Sequence, residues 1–433
     1  MACYETIYAL SSGRLPAGIA VVRISGPRAV AAAAALAGRT PPPRRATLVT
    51  LRDDAGMALD TALVLVFPAP ASATGEDVVE FHLHGGRAVV AAVMAALARR
   101  PGLRLAQPGE FTRRAHAAGK MDLAEVEGLA DLIAAETEAQ RRQALAQASG
   151  ALSRAVEGWR ARLIRALMLV EAGVDFSDEG DVPDALLAPA RAETAVLRAE
   201  LEAALAQAAR GERVRDGLAV AIAGPPNAGK STLLNALAGR EAAIVSHIPG
   251  TTRDILEVYL DLAGQAVTLI DTAGLRETDD EIEAEGVRRA RARAAAADLV
   301  LWLSPEGEAP PTDLADAMCV QTKADLASAP SPAADTALRI SARTGAGLEA
   351  LVGVLTARAE ALSGREPALV TRARQRSALE EARAHLDRAT VADAEELFAE
   401  DLRLAARALD AVVGRVDVED VLDALFRTFC IGK

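Results

Sequence analysis

The segment Gly224-Pro225-Pro226-Asn227-Ala228-Gly229-Lys230-Ser231 has the spacing G-x-x-x-x-G-K-[ST], which suits a polyphosphate. Glycines let backbone N–H groups turn inward around an anion at a helix N-terminus; the lysine neutralises the β and γ phosphates, and the serine hydroxyl ligates Mg²⁺. The alternative is a chance glycine-rich turn. Context argues against it: Leu218 to Ala223 reads as a strand before the loop, and Leu233, Leu234 and Leu237 read as a helix after Thr232.

Downstream, Ala266 to Ile270 reads as a strand ending in Asp271-Thr272-Ala273-Gly274. A carboxylate there can hold Mg²⁺ through water, and the Gly274 amide can sense the γ-phosphate. Between these motifs, Gly250-Thr251-Thr252-Arg253-Asp254 lies in a loop long enough to fold over a nucleotide. A threonine in it completes the metal shell only while the γ-phosphate remains, which makes a switch.

Base choice is read farther on. Thr322-Lys323-Ala324-Asp325 places Asp325 to accept from two N–H donors of guanine that adenine lacks. Ser341-Ala342, with Arg343 following, comes after the predicted strand Ala337 to Ile340 and supplies a loop to close over the guanine carbonyl. Each box alone is weak, but the four in order predict a Mg²⁺-dependent, guanine-selective nucleotide hydrolase.

These boxes need elements to position them. At 433 residues the chain is long enough for two or three domains. It is 51% hydrophobic but only 3% aromatic, a balance that favours long helices over a β-rich fold. The first 120 residues read as a small α/β domain, with strands at Gly18 to Ile24, Thr61 to Phe67 and Val78 to Leu83, and helices at Ala29 to Leu36 and Ala88 to Arg99. From Asp122 the period becomes helical through Leu152, Val156, Trp159, Leu163, Leu167 and Val170, then Leu197, Leu201 and Leu205. It returns after Pro367 through Leu379, Leu386, Leu397, Leu404 and Leu409, and finally Val418, Val421, Leu425 and Phe429.

The predicted fold is therefore multidomain, α/β and all-α. It has an N-terminal α/β domain over 1–120, a helical domain from 121–215 and 364–433, and an inserted Ras-like α/β nucleotide (G) domain over 216–363. The net charge of −12 argues against a surface coated for unselective nucleic-acid binding; a nucleic-acid partner would need a local basic patch or a basic partner protein. Cys3, Cys319 and Cys430 are scattered without metal-ligand spacing. With neither a signal sequence nor an apolar run of roughly 18 residues, a cytoplasmic protein without a membrane span is expected.

Outside the nucleotide boxes, other motifs carry a resemblance. They are Thr6 to Ala9 with Gly18 to Pro27, Thr74-Gly75-Glu76-Asp77-Val78-Val79-Glu80, His84-Gly85-Gly86, Pro108-Gly109-Glu110-Phe111-Thr112-Arg113-Arg114-Ala115, Lys120-Met121-Asp122-Leu123 and Phe429-Cys430-Ile431-Gly432-Lys433. With the nucleotide boxes, the chain resembles the bacterial tRNA-modifying GTPases of the MnmE (TrmE) family along essentially its whole length. One residue departs from the pattern: the family's usual Asn in the base box is Thr322 here.

The resemblance implies how hydrolysis would run. Leu275 stands where a Ras-like enzyme has its water-orienting Gln, and Arg253 and Arg276 read as solvated loop residues rather than arginine fingers. The family instead uses K⁺, which carries over to Asn227, Ser246, Ile248 and Thr251, with Thr252 on Mg²⁺ beside Ser231 and, through water, Asp271. His247 and Pro249 belong to the same nucleotide-binding loop. The ion does the electrostatic work of an arginine finger across a homodimer of nucleotide domains. The catalytic pair so implied is Lys230 and Glu283; Glu283 either orients water or is an exposed helix-start carboxylate.

The resemblance also makes the N-terminal domain a folate-binding and dimerisation module. Arg23, Glu80, Lys120 and Lys433 would contact 5-formyl- or 5,10-methylene-tetrahydrofolate, although each alone reads as a surface charge. The implied partners are tRNA and MnmG, an FAD and NADH enzyme. The joint product is a carboxymethylaminomethyl or aminomethyl group at C5 of a wobble uridine. Cys430 is either a nucleophile on the uracil ring or a small apolar residue ending a helix. His82 and His84 read as structural. The competing classes are an RNA-binding assembly switch, for which no KH-like Gly-x-x-Gly element stands out, and an ATP-driven enzyme, disfavoured by Asp325.

Overall fold

The computed structural model describes residues 5–175, 183–239, 243–244, 257–271, 297–314, 316–326, 338–364, 366–416 and 419–432. Its contacts gather into two compact units, Met1–Ala130 with Asp410–Lys433, and Asp131–Leu409.

In the first unit, β1 (Thr6–Leu10), β2 (Ala17–Ser25), β3 (Thr47–Arg52), β4 (Ala58–Phe67), β5 (Val78–Gly85) and β6 (Leu103–Leu105) form a sheet in the order β3-β4-β5-β2-β1-β6. The three predicted strands lie inside β2, β4 and β5. The two predicted helices are α1 (Ala29–Ala37) and α2 (Arg87–Ala98). Alternation along β5 sends Phe81 and Leu83 into the core shared with these helices and Glu80, His82 and His84 to the other face.

Among the described residues the remaining helices are α3 (Glu110–Ala117), α4 (Leu123–Ala134), α5 (Glu138–Ala148), α6 (Ala151–Asp175), α7 (Pro183–Leu205), α8 (Ala208–Asp216), α9 (Lys230–Ala238), α10 (Leu348–Ser363), α11 (Ala373–Val391), α12 (Glu395–Val412) and α13 (Glu419–Thr428). Within the first unit α13 buries Leu425 and Phe426 with Leu123 and Val126 of α4. A Cβ on Gly109, just before α3, would sit 2.7 Å from the Phe426 carbonyl oxygen, so only glycine allows this approach.

The second unit carries a seven-stranded sheet of β7 (Leu218–Ala223), β8 (Ala243–Ile244), β9 (Glu257–Leu262), β10 (Gln265–Asp271), β11 (Leu299–Ser304), β12 (Met318–Gln321) and β13 (Leu338–Arg339). Their order is β13-β12-β11-β7-β10-β9-β8, antiparallel only at the β8–β9 and β9–β10 pairs. Covered on both faces, the central strands are apolar runs rather than alternating ones. Register pairs Asp271 with Ile222, which brings the carboxyl ends of β7 and β10 side by side, the edge where open α/β sheets take ligands.

The helical stripes form a core as the periodicity predicts: Leu152, Val156, Trp159, Leu163, Val170, Leu197, Leu201, Leu379 and Leu386 are all buried. Leu397 differs, being 62% exposed, and Leu167, Leu205 and Leu404 are only partly buried. The buried face of α12 runs through Phe398, Leu402, Ala405 and Leu409, at spacings of four, three and four, and leaves Leu397 one residue out of phase.

Within this unit α5 turns three glutamines toward the two chain segments that enter and leave the nucleotide-binding part. The Gln140 side-chain amide donates to Arg215 O at 3.0 Å and Gln143 to Gly211 O at 2.7 Å. Gln147 donates to Ala368 O at 3.1 Å and Leu369 O at 2.7 Å. Gln143 and Gln147 are 4% and 2% exposed, and their amides satisfy the buried carbonyls of Gly211 and Ala368. The segments also touch each other: a Cβ on Gly211 would lie 2.0 Å from Val370 O.

Among the described residues no helix is long and apolar enough to cross a membrane.

Candidate nucleotide-binding site

The phosphate loop leaves β7 through Gly224, whose φ of +151° and the 2.3 Å approach of Leu303 O to its would-be Cβ both demand glycine. Asn227 follows in a left-handed conformation at φ 60°, which asparagine tolerates better than most side chains. Gly229 caps α9 at φ 95°, and the helix begins at Lys230. The Lys230 ammonium donates to Gly224 O at 2.7 Å and Pro225 O at 3.0 Å, so it lies across the loop.

Ser231 and Asp271 meet, although 40 residues separate them. The Ser231 hydroxyl donates to Asp271 Oδ2 at 3.2 Å, and Asp271 is 3% exposed. A hydroxyl and a buried carboxylate side by side are hard oxygen donors of the kind Mg²⁺ takes.

The base boxes converge on the same, N-terminal end of α9. A cavity of about 190 Å³ is lined by Gly229, Thr232 and Leu233 on one side, and by Thr322, Lys323, Asp325, Leu326, Ile340, Ser341, Ala342 and Arg343 on the other. All the base-box residues named from sequence are thus brought together. Leu233, Leu326 and Ile340 were not among them; Leu326, an apolar residue 69% exposed directly after the acid, is the one with a signal in the sequence.

Ser341 Oγ donates to Asp325 Oδ1 at 2.7 Å, and Arg343 Nε stands 3.5 Å from Oδ2. The serine hydrogen bond foremost, with the guanidinium assisting, holds the Asp325 carboxyl below its usual range. It is an ionised acceptor at neutral pH, suited to paired N–H donors. Lys323 adopts φ 54°, a conformation a non-glycine side chain takes at some cost, and such outliers cluster at functional sites. Thr322 is 4% exposed, and its hydroxyl donates to Ala228 O of the phosphate loop at 2.6 Å.

In the first unit, register places Arg23 opposite Glu80. The Arg23 Nε donates to Glu80 Oε1 at 2.9 Å, and the guanidinium lies 5.7 Å from the Phe111 ring centre. Lys120 is exposed, its Cε 3.5 Å from where a Cβ on Gly75 would stand. His82 reaches Glu80 at 3.3 Å and His84 reaches Asp60 at 2.7 Å. Cys430 is exposed. Beside it Ile431 bridges to Pro108, and Gly432 O accepts from Ser11 Oγ at 2.8 Å.

Ser246, His247, Ile248, Pro249, Gly250, Thr251 and Thr252 lie outside the described residues, as do Thr272, Ala273, Gly274, Glu283 and Lys433.

Residues 6–120 match the family model of the GTP-binding protein TrmE N-terminus, and residues 123–430 match that of the MnmE helical domain. The tRNA modification GTPase MnmE of Azorhizobium caulinodans is 68% identical over 99% of this chain and 99% of that protein. The protein of the same name from Bradyrhizobium sp. is 57% identical, again covering 99% of each. A crystal structure of the G domain of the T. maritima FeoB iron transporter is 28% identical and covers 32% of this chain and 98% of that one; its TM-score of 0.24 is too low to carry an argument. By both family models and by identity over nearly its full length, the chain belongs to the MnmE (TrmE) family of tRNA modification GTPases.

Proposed function

We propose that this GTPase drives the modification of a wobble uridine at C5, adding a carboxymethylaminomethyl or aminomethyl group to certain tRNAs. The observation that carries the GTPase part is the convergence of Lys230, Ser231 and Asp271 at the carboxyl ends of β7 and β10. In this reading Ser231, Thr252 and, through water, Asp271 would hold Mg²⁺, which would supply positive charge to the β and γ phosphates. Lys230 adds its ammonium to the same phosphates, the backbone around Gly229 supplies N–H donors, and Asp325 takes the guanine edge. Glu283 orients the attacking water.

K⁺ is assigned to Asn227, Ser246, Ile248 and Thr251. The exposed, left-handed Asn227 supports that placement, because its side chain projects from the loop rather than into the core. Hydrolysis then depends on two nucleotide domains meeting in a homodimer. The domain bounds belong to this proposal: 1–120 for folate and dimerisation, 121–215 with 364–433 helical, and 216–363 for the nucleotide. Arg23, Glu80, Lys120 and Lys433 would bind 5-formyl- or 5,10-methylene-tetrahydrofolate. The exposed lysine and the Arg23–Glu80 pair suit a ligand with both an anionic tail and N–H donors. The FAD and NADH partner is MnmG, Cys430 is a candidate nucleophile, and the setting is cytoplasmic.

The test is GTP turnover in KCl and in NaCl, for the native chain and for Asn227→Ala. K⁺ is expected to raise turnover sharply in the native chain. The substitution should abolish the difference between salts while leaving nucleotide affinity largely intact. Equal native rates in both salts would remove the ion from the mechanism. Separately, unchanged tRNA nucleosides by mass spectrometry in a deletion strain would refute the wobble-uridine assignment.

A further inference from the structure

Thr322 stands where the family carries Asn, and its surroundings show what its hydroxyl does. A threonine hydroxyl has one hydrogen to donate. Here it goes to the Ala228 carbonyl at 2.6 Å, in a bond with both partners buried. The backbone on either side is also held: Thr322 N donates to Ser304 O at 3.1 Å, and Ala324 N to Ile340 O at 3.0 Å. The residue has its β-branched χ1 fixed and its proton spent, yet it lines the base cavity.

Guanine offers two kinds of feature to such a cavity. Its Watson–Crick edge carries the N1–H and 2-amino donors, while N7 carries a lone pair and no hydrogen. Asp325, ionised and oriented by Ser341, is an acceptor and matches the donors. N7 needs a donor. The Thr322 proton cannot serve it without abandoning Ala228 and leaving that buried carbonyl unpaired.

We infer that Thr322 is a strut between the base box and the phosphate loop, and that the pocket reads guanine through its Watson–Crick edge while position 322 leaves N7 unread. Base recognition is thus decoupled at this residue from the imidazole side of the purine. Binding of the phosphates is coupled to the base box through this hydroxyl.

Titration calorimetry on the full-length chain with GDP and with 7-deaza-GDP, which lacks the N7 lone pair, tests the second half. The native protein is expected to bind both within about twofold. A preference for GDP of about fivefold or more, the size of one ordinary hydrogen bond, would overturn the inference without needing any variant. Thr322→Asn supplies an amide N–H and should create that preference; no gain of selectivity would count against the geometry.

Thr322→Val and Thr322→Ser test the strut. Valine keeps the shape and removes the hydroxyl, so both nucleotides should weaken together by about fivefold or more, whereas serine should stay within about twofold of native. Native affinity in the valine variant would overturn the strut.

Discussion

The phosphate loop and the glutamine face of α5 solve the same problem over different distances. In the loop, the Lys230 ammonium holds carbonyl oxygens five and six residues away in sequence. On α5, Gln143 and Gln147 hold carbonyls 68 to 222 residues away. The first grip is local and must release its cation to a ligand. The second is buried and serves only the protein. On the proposed function, activity depends on the local grip and stability on the distant one, and substitutions should separate the two.

The largest effect belongs to the loop. Lys230→Ala is expected to cut GTP turnover by about 100-fold or more, as loss of a preorganised charge on a phosphoryl group does, with little change in thermal midpoint. Phosphate release and a melting curve on the same sample check both. A variant that melts early would show that the ammonium is structural and would erase the contrast.

Gly211→Ala places a methyl 2.0 Å from the Val370 carbonyl oxygen, a backbone atom with no flexible end to yield. It is expected to cost about 1–3 kcal/mol or more, read as a lower denaturant midpoint. Gln147→Met keeps the volume but strips the donor from Ala368 O and Leu369 O, for an expected loss of about 1–3 kcal/mol. GDP affinity should remain within about twofold in this variant. A large drop would mean that the glutamine face also shapes the nucleotide pocket.

The last prediction extends the comparison from amides to charges. Glu110 of α3 is buried, which alone would raise its pKa; hydrogen bonds from Arg104, the Gln107 amide and Arg114 prevail and lower it to about 2. A lowered carboxyl contributes stability that is fully present above its ordinary value near 4.5 and is lost as pH falls toward 2. Acid titration of stability should therefore show a loss across that window, and Glu110→Gln should flatten it. An unchanged acid limb in the variant would assign the loss to other carboxylates.

Much of the nucleotide site is legible in the sequence. The loop from Gly224 to Ser231, the Asp271 strand end, the Asp325 box and Ser341 each declare themselves within a few residues. Their chemistry depends on local backbone shape: a glycine at φ +151°, an αL asparagine and a helix start at Lys230. The helical stripes were also legible, because burial of one face imposes a period. Leu397 was misplaced, since a single adjacent phenylalanine decides which residue takes the core position.

The glutamines of α5 were not legible. Gln143 and Gln147 in a polar, Ala-rich helix look like a solvated face, and nothing local distinguishes them from Gln207 or other surface amides, whereas Gln140 is marked locally only as the capping-box partner of Thr137. The role of Thr322 was hidden in the same way: its sequence position marks it as a departure, but only the approach of the Ala228 carbonyl shows where its proton goes.

The sequence by itself determined the Gly224–Ser231 loop, the Asp325 box, the alternation of strand and helix around them and the family. Each is written in neighbouring residues through backbone freedom, charge and periodicity. The tertiary structure alone decided which distant carbonyls are satisfied, by α5 and by Thr322. A hydrogen bond across tens or hundreds of residues exists only once the chain has folded, and its partner leaves no local trace.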